Sequence, residues 1–340
     1  MFFKKLAGII ASMFISDKDL PVTYSPFNCP LTGSTTIQGV RGVSKSSDVW
    51  ISGTLANGSS NVVGLIYKGP LSHNGSLGKW YTFTYTSPDF SDVINTSCYG
   101  PNNYGKDGIE FVGSYKRTST GSSALGCLYR GPLDGSGEWT TIAPNGGDTL
   151  NVYVHSTMGG LAVGNYDTKL TNGCAFIYDI ENESYYYPSI PGALTQTLYG
   201  IWHNGGTSYT VAGGYTSKSL DAMSQAFIAD YDSKTKEITN LRAYQGENKI
   251  GTMVTHFEGI NGAIGGYNLA AGFVSAKRPS GAALVTVNRS LFGGFGKAKW
   301  QALKYPDQTL TGCTSDTVYG RNIMGVLITE SGISSYLAKQ

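Results

Sequence analysis

Three of the four histidines, His155, His203 and His256, fall in short apolar runs that succeed one another at intervals of about 50 residues. Four tyrosines, Tyr99, Tyr153, Tyr199 and Tyr319, occupy corresponding places in such runs. Counted from those places, His155 lies at +2 and His203 at +4, and His256 lies at +2 from Val254, which stands where the tyrosine would. Even offsets along a strand share a face. Three imidazoles are therefore expected on one face of three consecutive segments, where imidazole and phenol can donate, accept or transfer protons. The catalytic candidates are His155, His203, His256 and Tyr199. The ligand-binding candidates are Tyr99, Tyr153, Trp202, Tyr319, Arg41 and Glu258. Trp202 precedes His203 by one residue and is placed to stack on a ligand, while Glu258 shares the face of His256. Arg41, with Asp316 and Arg321, could bind an anionic or carbonyl group. A three-histidine metal site is disfavoured because the unequal offsets stagger the ligands in height, and no cysteine or histidine spacing of a zinc site occurs. No metal and no cofactor are expected. The competing reading makes these rings the fillers of polar pockets between repeats, with the charged residues solvated at the channel mouth.

The elements that must carry these residues repeat. Segments ending near a glycine recur at DVWISGT (48–54), IEFVGSY (109–115), LAVGNY (161–166), YTVAGGY (209–215), AIGGYN (263–268) and NIMGVLI (322–328). Their glycines, at 53, 113, 164, 213, 265 and 325, are 60, 51, 49, 52 and 60 residues apart. Repeats of about this period mark propellers and solenoids. Each unit reads as four short strands, and the sixth ends at Gln340 without its last one. VTYSPFN (22–28) resembles the outer strands of other units, KWYTFTY and SYYYPSI, and supplies the missing piece. An N-terminal strand completing the C-terminal blade closes a ring and removes exposed edges. The expected fold is all-β: a six-bladed β-propeller of four-stranded blades, forming one domain over 21–340. Trp80, Trp139 and Trp300 recur at the start of the outer strands, which is what packing between blades requires.

Composition narrows the function. Charged residues are only 14 % of the chain and the net charge is +2, which excludes the concentrated basic footprint of a nucleic-acid binder. With 40 % hydrophobic residues the chain can build a large core, and no apolar run is long enough to span a bilayer. Residues 1–20 read either as a signal-like segment or as a retained amphipathic helix, and the compartment stays open between secreted and cytoplasmic. The five cysteines are an odd number and read as buried small residues. No P-loop, nucleophile elbow, HExxH or dinucleotide fingerprint is present.

The runs Val163–Asp167 (VGNYD) and Gly173–Tyr178 (GCAFIY) resemble the HAF-type repeats of extracellular bacterial proteins. The likeness extends loosely over 36–340 and implies a β-propeller. A fainter resemblance is to secreted fungal propeller enzymes described as hetero-Diels–Alderases, which implies a cofactor-free cyclase or lyase acting on a small, mostly apolar metabolite in the channel. The alternatives are a propeller module that binds carbohydrate or a partner protein, and a structural or assembly subunit. In the first two the partner is a ligand held by channel residues or by loops.

Overall fold

The computed structural model of the protein describes residues 22–58, 62–121, 123–144, 149–217, 224–246, 252–275, 278–305, 310–330 and 332–340. The expectation for residues 1–20 lies outside them. The described chain is all-β, with two 3-10 turns at His73–Gly75 and Thr118–Thr120 and no α-helix among the described residues. Alternating apolar residues with glycine-rich turns favour short antiparallel strands joined by tight hairpins, and each repeat runs from an inner to an outer strand in that way.

The third repeat comprises Thr149–Met158, Leu161–Thr168, Cys174–Asp179 and Ser184–Tyr186. The fourth comprises Ala193–Gly205, Ser208–Ser217, Ser224–Asp232 and Glu237–Tyr244. The fifth comprises Thr252–Ala263, Gly266–Ser275, Arg278–Arg289 and Phe295–Ala302. Each of these is a separate four-stranded sheet. The sixth repeat has a broken inner strand, Leu310–Cys313 and Thr317–Tyr319, followed by Asn322–Thr329 and Gly332–Lys339. Its outer strand is Thr23–Pro26, which pairs antiparallel with Gly332–Lys339, Thr23 opposite Lys339 and Pro26 opposite Tyr336.

The first two repeats depart from the expected count. Ser34–Gly42, Asp48–Ala56, Val62–Pro70 and Lys79–Phe83 belong to the same eight-stranded sheet as Val93–Tyr104, Gly108–Arg117, Ala124–Gly131 and Glu138–Ile142. The join is a single parallel bridge between Val62 and Asn95. It forms because the outer strand Lys79–Phe83 covers only Gly64–Lys68 of its neighbour, which leaves Val62 free to pair outward. The propeller thus has four separate blades and one double-width sheet where six separate blades were expected.

The core lies between neighbouring sheets. Leu161, Val163 and Ile177 of the third repeat pack on Leu198, Val211 and Phe227 of the fourth. Trp80, Trp139 and Trp300 are packed into such clusters, as expected of them. The repeat glycines have a common cause: a Cβ on Gly53, Gly113, Gly164, Gly213 or Gly325 would lie 1.9–2.3 Å from an inner-strand carbonyl oxygen. Gly265 does not belong with them. It sits in a hairpin turn at φ +73°, and the equivalent place in the fifth repeat is taken by Ala271, opposite Phe257. All five cysteines are free thiols, and all but Cys174 are buried.

Ser335 ties the closing seam. Its Oγ accepts from the amide of Ile37 at 2.9 Å and donates to Thr35 O at 2.8 Å. Its carbonyl accepts from the amide of Phe27, and its own amide donates to Asn28 Oδ1.

Candidate functional site

The inner strands are irregular at one level. Their pairing slips between Ile37 and Gly39, Cys98 and Pro101, Val154 and Ser156, Leu198 and Gly200, and Phe257 and Gly259. A bulge leaves the extra residue unpaired and re-aims its side chain. The residues so placed are Gln38, Tyr99, His155, Tyr199 and Glu258. In the sixth repeat the strand opens between Cys313 and Thr317, and the amides of Thr314 and Asp316 bond to Val326 O and Met324 O instead. Asp316 completes the level. These six side chains, with Thr36, Thr314 and Val326, line one cavity of about 340 Å³.

Small residues let the inner strands converge there. A Cβ on Gly39 would lie 2.2 Å from Tyr99 O, and one on Gly100 would lie 2.5 Å from Ser156 Cα. Substitution at either place would hold apart the walls that bring the ring together.

One side of the cavity is aromatic. The His155 ring lies 5.5 Å from that of Tyr99 and 4.5 Å from that of Tyr199, and Tyr199 stacks at 5.9 Å on His256. Tyr99 is anchored by Ser114 Oγ at 3.2 Å. His155 Nε2 lies 2.7 Å from Asn165 Oδ1; that oxygen only accepts, so Nε2 carries the proton. Burial lowers His155 to about 4, against the pull of Glu258 and Asn165. The ring is neutral at physiological pH and offers Nδ1 as an acceptor. Burial also raises Tyr99 to about 12 and Tyr199 further, Tyr199 with help from the charge of Glu258. Both phenols therefore stay donors.

The other side is acidic. Asp316 opens onto the cavity and is otherwise surrounded by protein. Burial first, and the charge of Glu258 second, push it up to about 8. Thr314 Oγ1 donates to its Oδ2 at 2.9 Å. Glu258 Oε1 lies 3.7 Å from His256 Nδ1, whose Nε2 is 2.8 Å from Ser224 Oγ. Gln38 adds a buried carbonyl oxygen that has no hydrogen-bond partner. A second cavity of about 250 Å³ adjoins the first, shares Glu258, Thr314 and Asp316 with it, and is lined also by His256.

The sequence-derived candidates therefore divide. Tyr99, His155, Tyr199 and Glu258 meet around the central cavity, and His256 stands beside them. Tyr153 lies on the same strand face as His155, its ring 6.4 Å away, and is not among the lining residues. Tyr99 and Tyr199 are level with His155 rather than with Tyr153, and Val254 is not at their level either, because the bulges displace the count. His203 is at the strand end, stacked on Tyr209 at 4.6 Å with Nε2 bonded to Gly206 O. Trp202 packs where a Cβ on Gly262 would meet its ring, and Tyr319 packs against Gly42. Arg41 lies further along the channel, its guanidinium 5.4 Å from the Trp202 ring. Arg321 binds Gln340 and Gln301 away from the cavity.

Gln38 was not singled out from sequence, and Asp316 was grouped with Arg41 and Arg321 as a binder of an anionic or carbonyl group or a solvated charge at the channel mouth, not as a carboxyl group of this cavity. A signal existed: Gln38, Tyr99, Tyr199 and Glu258 each immediately precede an inner-strand glycine. Among the described residues no group of three histidine, cysteine or acidic side chains is arranged to hold a metal ion. No helix among them is long and apolar enough to cross a membrane.

No family model matches the chain, and no curated protein matches it. Solved structures resemble it distantly. An α-L-arabinofuranosidase from Fusarium graminearum is 14 % identical, with a TM-score of 0.49, over 93 % of this chain and 97 % of that one. An α-L-arabinanase from Penicillium chrysogenum, complexed with arabinobiose, is 15 % identical, with a TM-score of 0.48, over 94 % and 97 %. A hypothetical protein from Leishmania major is 13 % identical, with a TM-score of 0.45, over 88 % and 100 %. Likenesses at this level carry no argument about chemistry, which rests on the cavity.

Proposed function

We propose that the central cavity binds a saccharide unit and that Asp316 and Glu258 act as a pair on its glycosidic bond. The observation that carries this is the ring of polar side chains from all six repeats, with two carboxyl groups on adjacent repeats. A sugar presents hydroxyl groups in every direction. Phenol donors at Tyr99 and Tyr199, acceptors at Gln38 Oε1 and His155 Nδ1, and two carboxyl groups match that pattern. Convergent polar groups in a preformed cavity orient a ligand at little cost in rearrangement. A mostly apolar metabolite finds a single aliphatic side chain, Val326, among the nine that line the wall. The cyclase reading therefore gives way to the carbohydrate one.

A carboxyl group held protonated by burial, beside a second carboxyl group, can take the role of acid while its neighbour takes that of base. Asp316, protonated up to about 8, donates to the glycosidic oxygen as its bond to the anomeric carbon breaks. The Glu258 carboxylate takes a proton from the water whose oxygen forms the new bond to that carbon. His155 and Tyr199 hold the sugar in place; His256, behind Glu258, positions the base.

We infer also that the chain over 21–340 is one domain, and that the double-width sheet counts as two blades in a six-fold ring. What supports this is that each of six inner segments contributes at least one residue to a shared cavity.

The test is a panel of reducing and methylated oligosaccharides assayed for binding and for release of reducing ends. Asp316→Asn and Glu258→Gln should each lower turnover by about 10²-fold or more, and turnover should fall as pH rises through about 8. Failure of every saccharide to bind would sink the reading.

A further inference from the structure

Arg41 stands apart from the cavity chemistry. It is 7 % exposed, and no carboxylate of the described residues forms an ion pair with it. Its side chain leaves the first repeat and reaches the inner strands of the third and fourth, on the far side of the channel. There Nη2 lies 3.4 Å from Ser156 Oγ and 3.4 Å from Ile201 O, both long contacts, and Nε has no partner at all. The Trp202 ring is beside it. Burial lowers Arg41 to about 10, so it remains a cation at neutral pH.

A buried charge without a counter-charge is costly, and proteins supply a partner where they retain one. Even the half-buried guanidiniums of Arg289 and Arg130 have carboxylate partners: Arg289 holds Asp230, and Arg130 holds Glu110 at 2.8 Å. Arg41 has only weak neutral acceptors. A guanidinium fork fits a carboxylate or phosphate through two parallel hydrogen bonds. The residue lies three positions beyond Gln38, at most about 10 Å along the strand, within one sugar unit and a side chain of the ring that lines the cavity.

We infer that Arg41 anchors an anionic group on the ligand, so that the saccharide this channel takes is an acidic one whose carboxylate is that of a uronic acid. The inference rests on the saccharide reading above. The acid pair attends the glycosidic oxygen, and Arg41 selects the charged substituent at the other end of the unit.

The experiment is a ligand-observed NMR titration of the intact protein with D-glucuronate, D-glucose and inorganic phosphate at pH 7. Glucuronate should bind at least about tenfold more tightly than glucose, the value of a charge-assisted bond. Arg41→Met should bring the two within about twofold, while Arg41→Lys, which keeps the charge but not the fork, should retain part of the difference. Should Arg41→Met fail to fold, Arg41→Lys and competition by phosphate against glucuronate carry the test. Equal binding of glucose and glucuronate overturns the role of Arg41 and leaves the saccharide reading standing. Phosphate binding that depends on Arg41, with neither sugar bound, supports the anion anchor and overturns the saccharide reading. Absence of binding by both glucuronate and phosphate overturns the anchor.

Discussion

Asp316 keeps its proton in a range where carboxyl groups ordinarily have lost it, and this has a thermodynamic signature independent of any ligand. Its value is raised from 3.8 to about 8, chiefly by burial. Between those limits the native state binds more protons than the unfolded chain, so its contribution to stability is present at low pH and is lost as pH rises through about 8. His155 works on the acid side: lowered from 6.5 to about 4, its contribution is present above 6.5 and is lost as pH falls toward 4. The interval from pH 6.5 to 8 therefore isolates Asp316. Urea midpoints of the native protein should decline across that interval, and those of Asp316→Asn, which fills the same space without titrating, should decline less. Parallel slopes would show that Asp316 is already ionised at pH 6.5.

At the scale of the strand, the site depends on bulges. Each bulge turns one residue toward the axis, and in every one of the five bulged repeats but the third a glycine beside it lets the next strand approach. Gly100→Ala would put a Cβ 2.5 Å from the backbone of Ser156, and neither atom belongs to a flexible side chain. The expected cost is about 1–3 kcal/mol of overpacking, read as a lower denaturation midpoint; an unchanged midpoint would show that the walls can part. The same bulges explain what the sequence disclosed. The repeats were legible because period-2 patterning and turn glycines survive in every unit. The level of each ring was not, because one inserted residue exchanges the two faces of a strand. Tyr153 was thus aligned with Tyr99 and Tyr199, whereas His155 is their counterpart. His203 shares the parity of the channel face in a count that ignores the bulge between Leu198 and Gly200, and it ends outside the cavity. Likewise Gly265 imitates the repeat glycine in type but serves a turn.

For the molecule as a whole, closure is the decisive feature. Thr23–Pro26 joins the sixth repeat by backbone pairing, and Phe27, fully buried, packs on Tyr67 at 5.2 Å and Trp80 at 5.8 Å in the first. The missing strand was legible because the count of strands in the sixth unit fell one short. The double-width sheet was not, because a single bridge at Val62 leaves no pattern in residue types. Phe27→Ala should lower stability by about 3–5 kcal/mol, measured by equilibrium denaturation. Ser335→Ala, which strips the amide of Ile37 of its acceptor, should cost about 1–3 kcal/mol. A loss below 0.5 kcal/mol in either variant would show that the seam contributes little.

The pairing of Thr23 with Lys339, 316 residues apart, also sets an order in time. At about 5–20 residues per second of synthesis, the partner strand follows the first by roughly 15–60 s. Throughout that interval the early segment has no sheet edge of its own to join, while successive repeats can already form behind it. The ring is therefore finished by its oldest strand, and a chain cut short anywhere before Gly332 leaves that strand permanently unpaired.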